Sequence, residues 1–180
     1  MFDIPKDILE EVFKQCSSSS LQAHATQDFP WYLSKVCSHW RALFFSMRST
    51  FWSKIVIEPG PFNTEPTKVQ EIVAFFIDCT HGQPFSFEFC MDYGGLENRL
   101  HLVFADLCAY SEQWEEASIG LLSSELKYFC AIQGRLPLLK KLEIFVSCLA
   151  DSTTSIPSMV TNVFEDAPLL THVGLWDINT

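Results

Sequence analysis

Two stretches near the C-terminal end of the chain repeat each other. LKKLEI at 139–144 and LTHVGL at 170–175 each follow a Pro-Leu pair, so the pattern P-L-L-x-x-φ-x-φ, with φ apolar, occurs twice at a period of 31 residues. A period of this size constrains a fold strongly, because a unit too short to bury its own apolar face must stack on a neighbour. WEEASI at 114–119 and PFSFEF at 84–89 fit the same frame with Trp114 and Pro84 in the leading position. Within each stretch apolar residues alternate: Phe85, Phe87 and Phe89; Ala117, Ile119 and Leu121; Leu142, Ile144 and Val146; Val173 and Leu175. Period-2 alternation predicts four short strands.

Helical patterns precede the strands: Val69, Ile72, Val73, Phe76 and Ile77; Leu100, Val103, Phe104, Leu107 and Cys108; Leu126, Phe129 and Cys130; Met159, Val160, Val163 and Phe164. Helix and strand alternating in this way predict parallel strands side by side with helices on one face, an α/β solenoid with a short parallel sheet. Its outward strand positions are Ser86, Glu88, Ser118, Lys141, Glu143, His172 and Gly174. The chain stops at LWDINT, directly after a strand and without a polar capping unit, which leads us to expect a longer natural product or a truncated copy.

EPGPFNTEPT at 58–67 carries three prolines and a glycine and reads as a linker. Charge divides at the same place. Residues 1–57 carry a net charge of +1 and residues 58–180 one of -11, within a total of -10. No Asp or Glu occurs from Phe29 to Ile57, a stretch that contains Lys35, Arg41, Arg48 and Lys54.

Ahead of the linker, IPKDILEEVFKQC predicts a helix with Pro5 in its first turn, Asp7 near its start, and Ile4, Ile8, Leu9, Val12 and Phe13 on one face. Val12 and Phe13 are expected in the core, and Glu10 is placed to pair with Lys14. SSSSLQAHATQDF reads as a polar loop, and a second helix begins near Pro30. On that helix Leu33, Val36, Cys37, Trp40, Leu43, Phe44 and Met47 share one arc, while Phe45 falls on the other side beside Ser38 and Arg41. FWSKIVI closes the module with a bulky aromatic pair and a short β-like run. So short a helical unit buries only about 60% of its unfolded surface, so apolar area must find cover elsewhere.

Composition excludes several function classes. The longest apolar run near the middle, IVAFFI at 72–77, is far shorter than the roughly 20 residues that span a bilayer, and the acidic start MFDIPKDILEE does not read as a secretory signal, so synthesis in the cytosol is expected. Neither a membrane nor a nucleic acid is expected as partner: four cations over some twenty residues carry no nucleic-acid signature, and the acidic remainder would repel phosphate. The seven cysteines show no CxxC spacing and are expected as reduced, mostly buried thiols. In the pairs Cys37/His39 and Cys79/His81, helical spacing would point the two side chains apart, so no metal site or other cofactor is expected. Glu115/Glu116 and Glu165/Asp166 read as solvated faces, no P-loop, HExxH or GxSxG motif occurs, and an enzyme is not expected.

Three ordered motifs within the first 57 residues carry a resemblance: IPKDILEEVF, LSKVCSHWRAL, and FW before a short apolar run. In these the N-terminal module resembles an F-box, and the whole chain is similar to fungal F-box proteins with irregular leucine-rich repeats. LxxLxL matches well at 139–144, adequately at 170–175, and by shape alone at 114 and 84. The resemblance implies a small three-helix F-box module at 1–57, the Pro-rich linker at 58–67, and about four leucine-rich-repeat-like units at 68–180. The module would dock on a Skp-type adaptor and through it a cullin, making the chain a substrate receptor of a ubiquitin ligase in the cytoplasm or nucleus. Ile4, Pro5, Ile8 and Leu9 match the adaptor-contacting start of the family motif, and Leu33, Val36, Trp40 and Leu43 match the second-helix positions shared between module core and interface. Skp-type adaptors are acidic, which suits the carboxylate-free stretch. Ser86, Glu88, Ser118, Lys141, Glu143 and His172 would face an unknown protein substrate. The alternative is a leucine-rich-repeat scaffold without a ligase role. Where regular repeats place Asn or Cys, this chain has Asp92, Leu122, Ser147 and Ile178, so no side-chain ladder is expected.

Overall fold

The 31-residue period is a strand register: Leu142 stands beside Val173, and Ile144 beside Leu175, in neighbouring parallel strands. The computed structural model describes residues 4–16, 20–23, 30–58, 66–90, 100–147 and 163–177. It is α/β, with a six-stranded, all-parallel sheet whose strands follow chain order. These are β1 (Leu21–Gln22), β2 (Lys54–Ile57), β3 (Phe85–Cys90), β4 (Trp114–Leu122), β5 (Lys141–Ser147) and β6 (His172–Asp177). The α-helices are α1 (Lys6–Cys16), α2 (Leu33–Val36), α3 (Ser38–Ser46), α4 (Arg48–Phe51), α5 (Pro66–Thr80) and α6 (Leu100–Ala109).

Two strands extend the sheet beyond the four repeat strands: β1, unexpected from the sequence, and β2, the β-like run expected to close the N-terminal module. Leu21 and Gln22, read as polar loop, pair with Ile55 and Val56, and Leu21 and Ala23 are buried. The run KIVI, expected to close a separate module, pairs along its whole length with β3. The sheet therefore crosses the 57/58 boundary, and α5 takes up the last two positions of the predicted linker. Residues 59–65 lie outside the described residues.

One face of the sheet is packed and the other open. Ile55, Phe87, Ala117 and Leu142 form one buried row across β2 to β5, and Ile57, Phe89, Ile119 and Ile144 form the next. Helices cover these rows: Phe76 of α5 meets Phe85 at 5.7 Å, and Phe104 of α6 meets Phe89 at 5.1 Å. Parallel sheets are usually covered on both faces, so an open face needs polar side chains, and β3 to β5 alternate accordingly. At β6 the inward Val173 and Leu175 keep the register but are exposed.

The third helical pattern is a 3₁₀ segment, Ser123–Ile132, in which Leu126 and Phe129 are buried and Cys130 is exposed. Of the fourth pattern Met159 and Val160 lie outside the described residues; Val163 is buried, and Phe164 packs on Phe129 at 5.6 Å. Asp92 and Ile178 also lie outside them, whereas Ser147 is buried. The turn from α5 into β3 passes through His81 (φ 51°) and Gly82 (φ 78°), left-handed residues that end the helix.

The second helix is broken. Cys37 is extended (φ -159°, ψ 171°) and caps α3, its Sγ accepting from the Trp40 backbone N–H at 3.5 Å. Val36, Cys37 and Ser38 are three consecutive weak helix formers, so the break falls where propensity is lowest. Arg41 spans it, donating from Nε to the Ser34 carbonyl at 2.7 Å. Phe44 is fully buried among Trp31, Phe51 and Trp52, with ring centroids at 6.3, 4.9 and 5.1 Å. Phe45 is covered within the chain: it lies 5.8 Å from Trp52 and 5.8 Å from Phe75 of α5.

Of the five thiols whose side chains are described, only Cys108 is fully buried as expected. Cys37 and Cys130 are exposed, Cys79 and Cys90 half-buried, and Cys108 buried. Burial pushes the Cys108 thiol from 9.0 up to about 12, with Arg135 pulling weakly the other way. A raised folded-state value favours the neutral thiol, so its contribution is intact below pH 9 and is lost as pH rises towards 12. Stability should fall by up to about 1.4 kcal/mol per pH unit in that window. Melting curves of the wild-type chain and Cys108→Ala, compared between pH 8 and 11, measure this slope. Iodoacetamide at pH 8 should label Cys37 and Cys130 but spare Cys108 until denaturant is added.

Candidate functional site

Helix α1 carries two apolar columns. Leu9 (2% exposed) and Phe13 point inward, Phe13 edge-on to Trp40 of α3 at 5.1 Å and to Phe51 of α4 at 6.5 Å. Ile8 (53% exposed) and Val12 point outward, and Ile4, just ahead of the helix, is exposed as well. Spaced by four residues, Ile4, Ile8 and Val12 form one uncovered stripe. Pro5 is exposed, and its carbonyl accepts from the Leu9 backbone N–H at 3.1 Å. Glu10 pairs with Lys6 and Lys14 with Glu11, in solvated contacts worth a few tenths of a kcal/mol.

The expected adaptor-contacting positions therefore separate. Ile4, Pro5, Ile8 and Val36 (53% exposed) are open to a partner. Leu33 and Leu43 are core residues in the free chain, as positions shared between core and interface would be, and Leu9, expected at the interface, is a core residue because it stands on the inward column of α1. Trp40 is half-buried against the core. Val12, expected in the core, is exposed and belongs with Ile8. Of the cations, Lys35 and Arg41 lie exposed on α2 and α3, whereas Lys54 points to the open sheet face and pairs with Glu88 at 2.6 Å. The Arg48 side chain lies outside the described residues.

The open sheet face forms a second candidate surface. Its first row runs Lys54, Ser86, Glu116, Lys141, His172; its second runs Val56, Glu88, Ser118, Glu143, Gly174. All six expected substrate-facing residues stand on these two rows, but Ser86, like Val56 beside it, is buried, so the accessible ones are Glu88, Ser118, Lys141, Glu143 and His172. A third row brings together Cys90, Gly120, Phe145 and Trp176. Phe145 and Trp176 were missed because an apolar pair at the end of an alternating run reads as core; their strand parity was the available signal. Their rings stack at 6.2 Å with planes 12° apart.

A bulge sorts the two acids of WEEASI. The register slips between Phe85 and Ser86, sending Glu115 towards Lys140, where the charges meet at 2.6 Å and raise the lysine pKa through that hydrogen bond. Glu116 is left on the open face. Lys141 pairs with Glu143 at 3.1 Å.

A cleft of about 670 Å³ separates α1 from the strand starts, lined by Glu10, Lys14, Thr50, Ser53, Pro84 and Glu115 among others. Among the described residues no three His, Cys, Asp or Glu side chains are placed to hold a metal ion, and no helix is long and apolar enough to cross a membrane. No family model, curated protein or solved structure matches the chain.

Proposed function

We propose that the chain is a substrate receptor of a cullin-RING ubiquitin ligase, an F-box module docking on a Skp-type adaptor and an irregular leucine-rich-repeat solenoid presenting its open sheet face to a target protein. The observation that carries this reading is the uncovered stripe Ile4, Ile8 and Val12 on α1. A helix whose inner column already satisfies the core has no intramolecular need for a second apolar column, and such faces are paired with a partner. The stripe begins in IPKDILEEVF, the motif that resembles the adaptor-contacting start of an F-box. Ile4, Pro5, Ile8 and Val36 are the direct contacts in this reading, and Leu9, Leu33, Trp40 and Leu43 support them from behind. The exposed Lys35 and Arg41 face an acidic adaptor without a carboxylate among their near sequence neighbours.

Ubiquitin transfer itself would fall to other subunits. Co-expression with a Skp-type adaptor tests the reading: a one-to-one complex surviving size exclusion is the expected result. Failure to form it leaves the scaffold reading, in which the same sheet face binds a partner without a ligase.

A further inference from the structure

We propose that the open sheet face binds an extended segment of a partner protein in which Arg or Lys lies four or five residues from a large apolar side chain, the cation meeting Glu116 and the apolar group lying on the Phe145–Trp176 shelf. This deepens the receptor reading and rests on it only in calling the partner a ligase substrate.

Charge sets the first half. The two lysines of the face are each held by a glutamate, Lys54 by Glu88 at 2.6 Å and Lys141 by Glu143 at 3.1 Å. Glu116 is exposed and has no ion-pair partner among the described residues. Among the described residues the face thus offers an arriving chain one carboxylate outside an ion pair, flanked by Ser86 and Ser118, beside the Glu143-held Lys141 and with only a longer-range pull on Lys140, and this carboxylate complements a cation. Shape sets the second half. Trp176 is 55% exposed although it stacks on Phe145, and a large, pre-ordered aromatic surface open to water is the usual anchor of a protein contact. Gly174 keeps the shelf in place: a Cβ there would lie 3.0 Å from Trp176 Nε1, so the indole rests across the glycine.

Register sets the spacing. Glu116 is level with Lys141 and His172, four residues before Phe145 and Trp176 on the adjoining strands. At about 3.3 Å per residue and 4.8 Å per strand, the carboxylate and the shelf are roughly 14 to 16 Å apart, the reach of four or five residues of extended chain.

The test is selection of displayed random ten-residue peptides on the immobilised full chain, without adaptor, so that failed selection and failed adaptor capture are separate results. Enriched peptides should pair Arg or Lys with Leu, Phe, Tyr or Trp four or five positions away. Trp176→Ala should weaken a selected peptide about thirtyfold, the scale of an interface hot spot. Glu116→Lys should turn the selected cation into Asp or Glu. Gly174→Val, which displaces the indole, should relax the apolar requirement and keep the cation. Peptides without the paired spacing, no enrichment, or unchanged binding in both Trp176→Ala and Glu116→Lys would overturn the proposal. So would steeply salt-dependent binding of a single-stranded oligonucleotide lost in the same variants.

Discussion

Ile8→Glu is expected to abolish capture by a Skp-type adaptor while the free chain melts within about 2 °C of wild type. The side chain is 53% exposed on the outer column of α1, so the charge stays in water in the free protein, and surface changes of this kind stay within about 0.5 kcal/mol. In the complex the same charge would be buried without a partner, a loss on the order of a thousandfold in affinity. Ile4→Glu should act in the same direction. Leu9→Glu would also lose the complex, but for an uninformative reason, since a carboxylate at a site 2% exposed unfolds the module. Co-purification yield and a melting curve on each variant separate the two. Retained capture by Ile8→Glu with an unshifted melting point would remove the adaptor reading.

Phe44→Ala should be the most destabilising single truncation in the N-terminal part, costing about 3–5 kcal/mol against a total of roughly 5–15 for a domain. Phe44 touches Trp31, Phe51 and Trp52, and Trp52 Nε1 donates to the Phe44 carbonyl at 3.4 Å. Trp52 in turn meets Phe75 and Phe76 on α5. The loss should therefore spread into the sheet, and tryptophan fluorescence and far-UV circular dichroism should shift to the same lower midpoint. A sheet signal that kept the wild-type midpoint would mean that residues 1–57 fold as a separate unit.

What the sequence revealed followed the physics of each pattern. The strands were legible because period-2 alternation has one buried solution, and the 31-residue spacing of Leu142 and Val173 became a register pair. Phe45 was legible too: an apolar residue off the helical arc, in a module too small to cover itself, found Phe75 across the linker. The candidate interface was harder. Ile4, Ile8, Leu9, Val12 and Phe13 are all apolar, so no wheel can tell the core column from the solvent column, and Leu9 and Val12 exchanged roles. Val36 left its arc because the arc assumed an unbroken helix through Cys37. Strand β1 was illegible because two residues with a single buried side chain carry no period.

The strand KIVI belongs at once to the N-terminal module and to the sheet. In the proposed receptor this removes the swivel that a free linker would give. From β2 to β5 there are three lateral steps of about 4.8 Å, each hydrogen-bonded along its length, so in that reading a bound target would be held at a set height and bearing relative to α1. If the receptor reading holds, such an arm would select which of the target's lysines come within range of the ligase: those on one side of the bound segment would be presented, and those on the other shielded by their own protein.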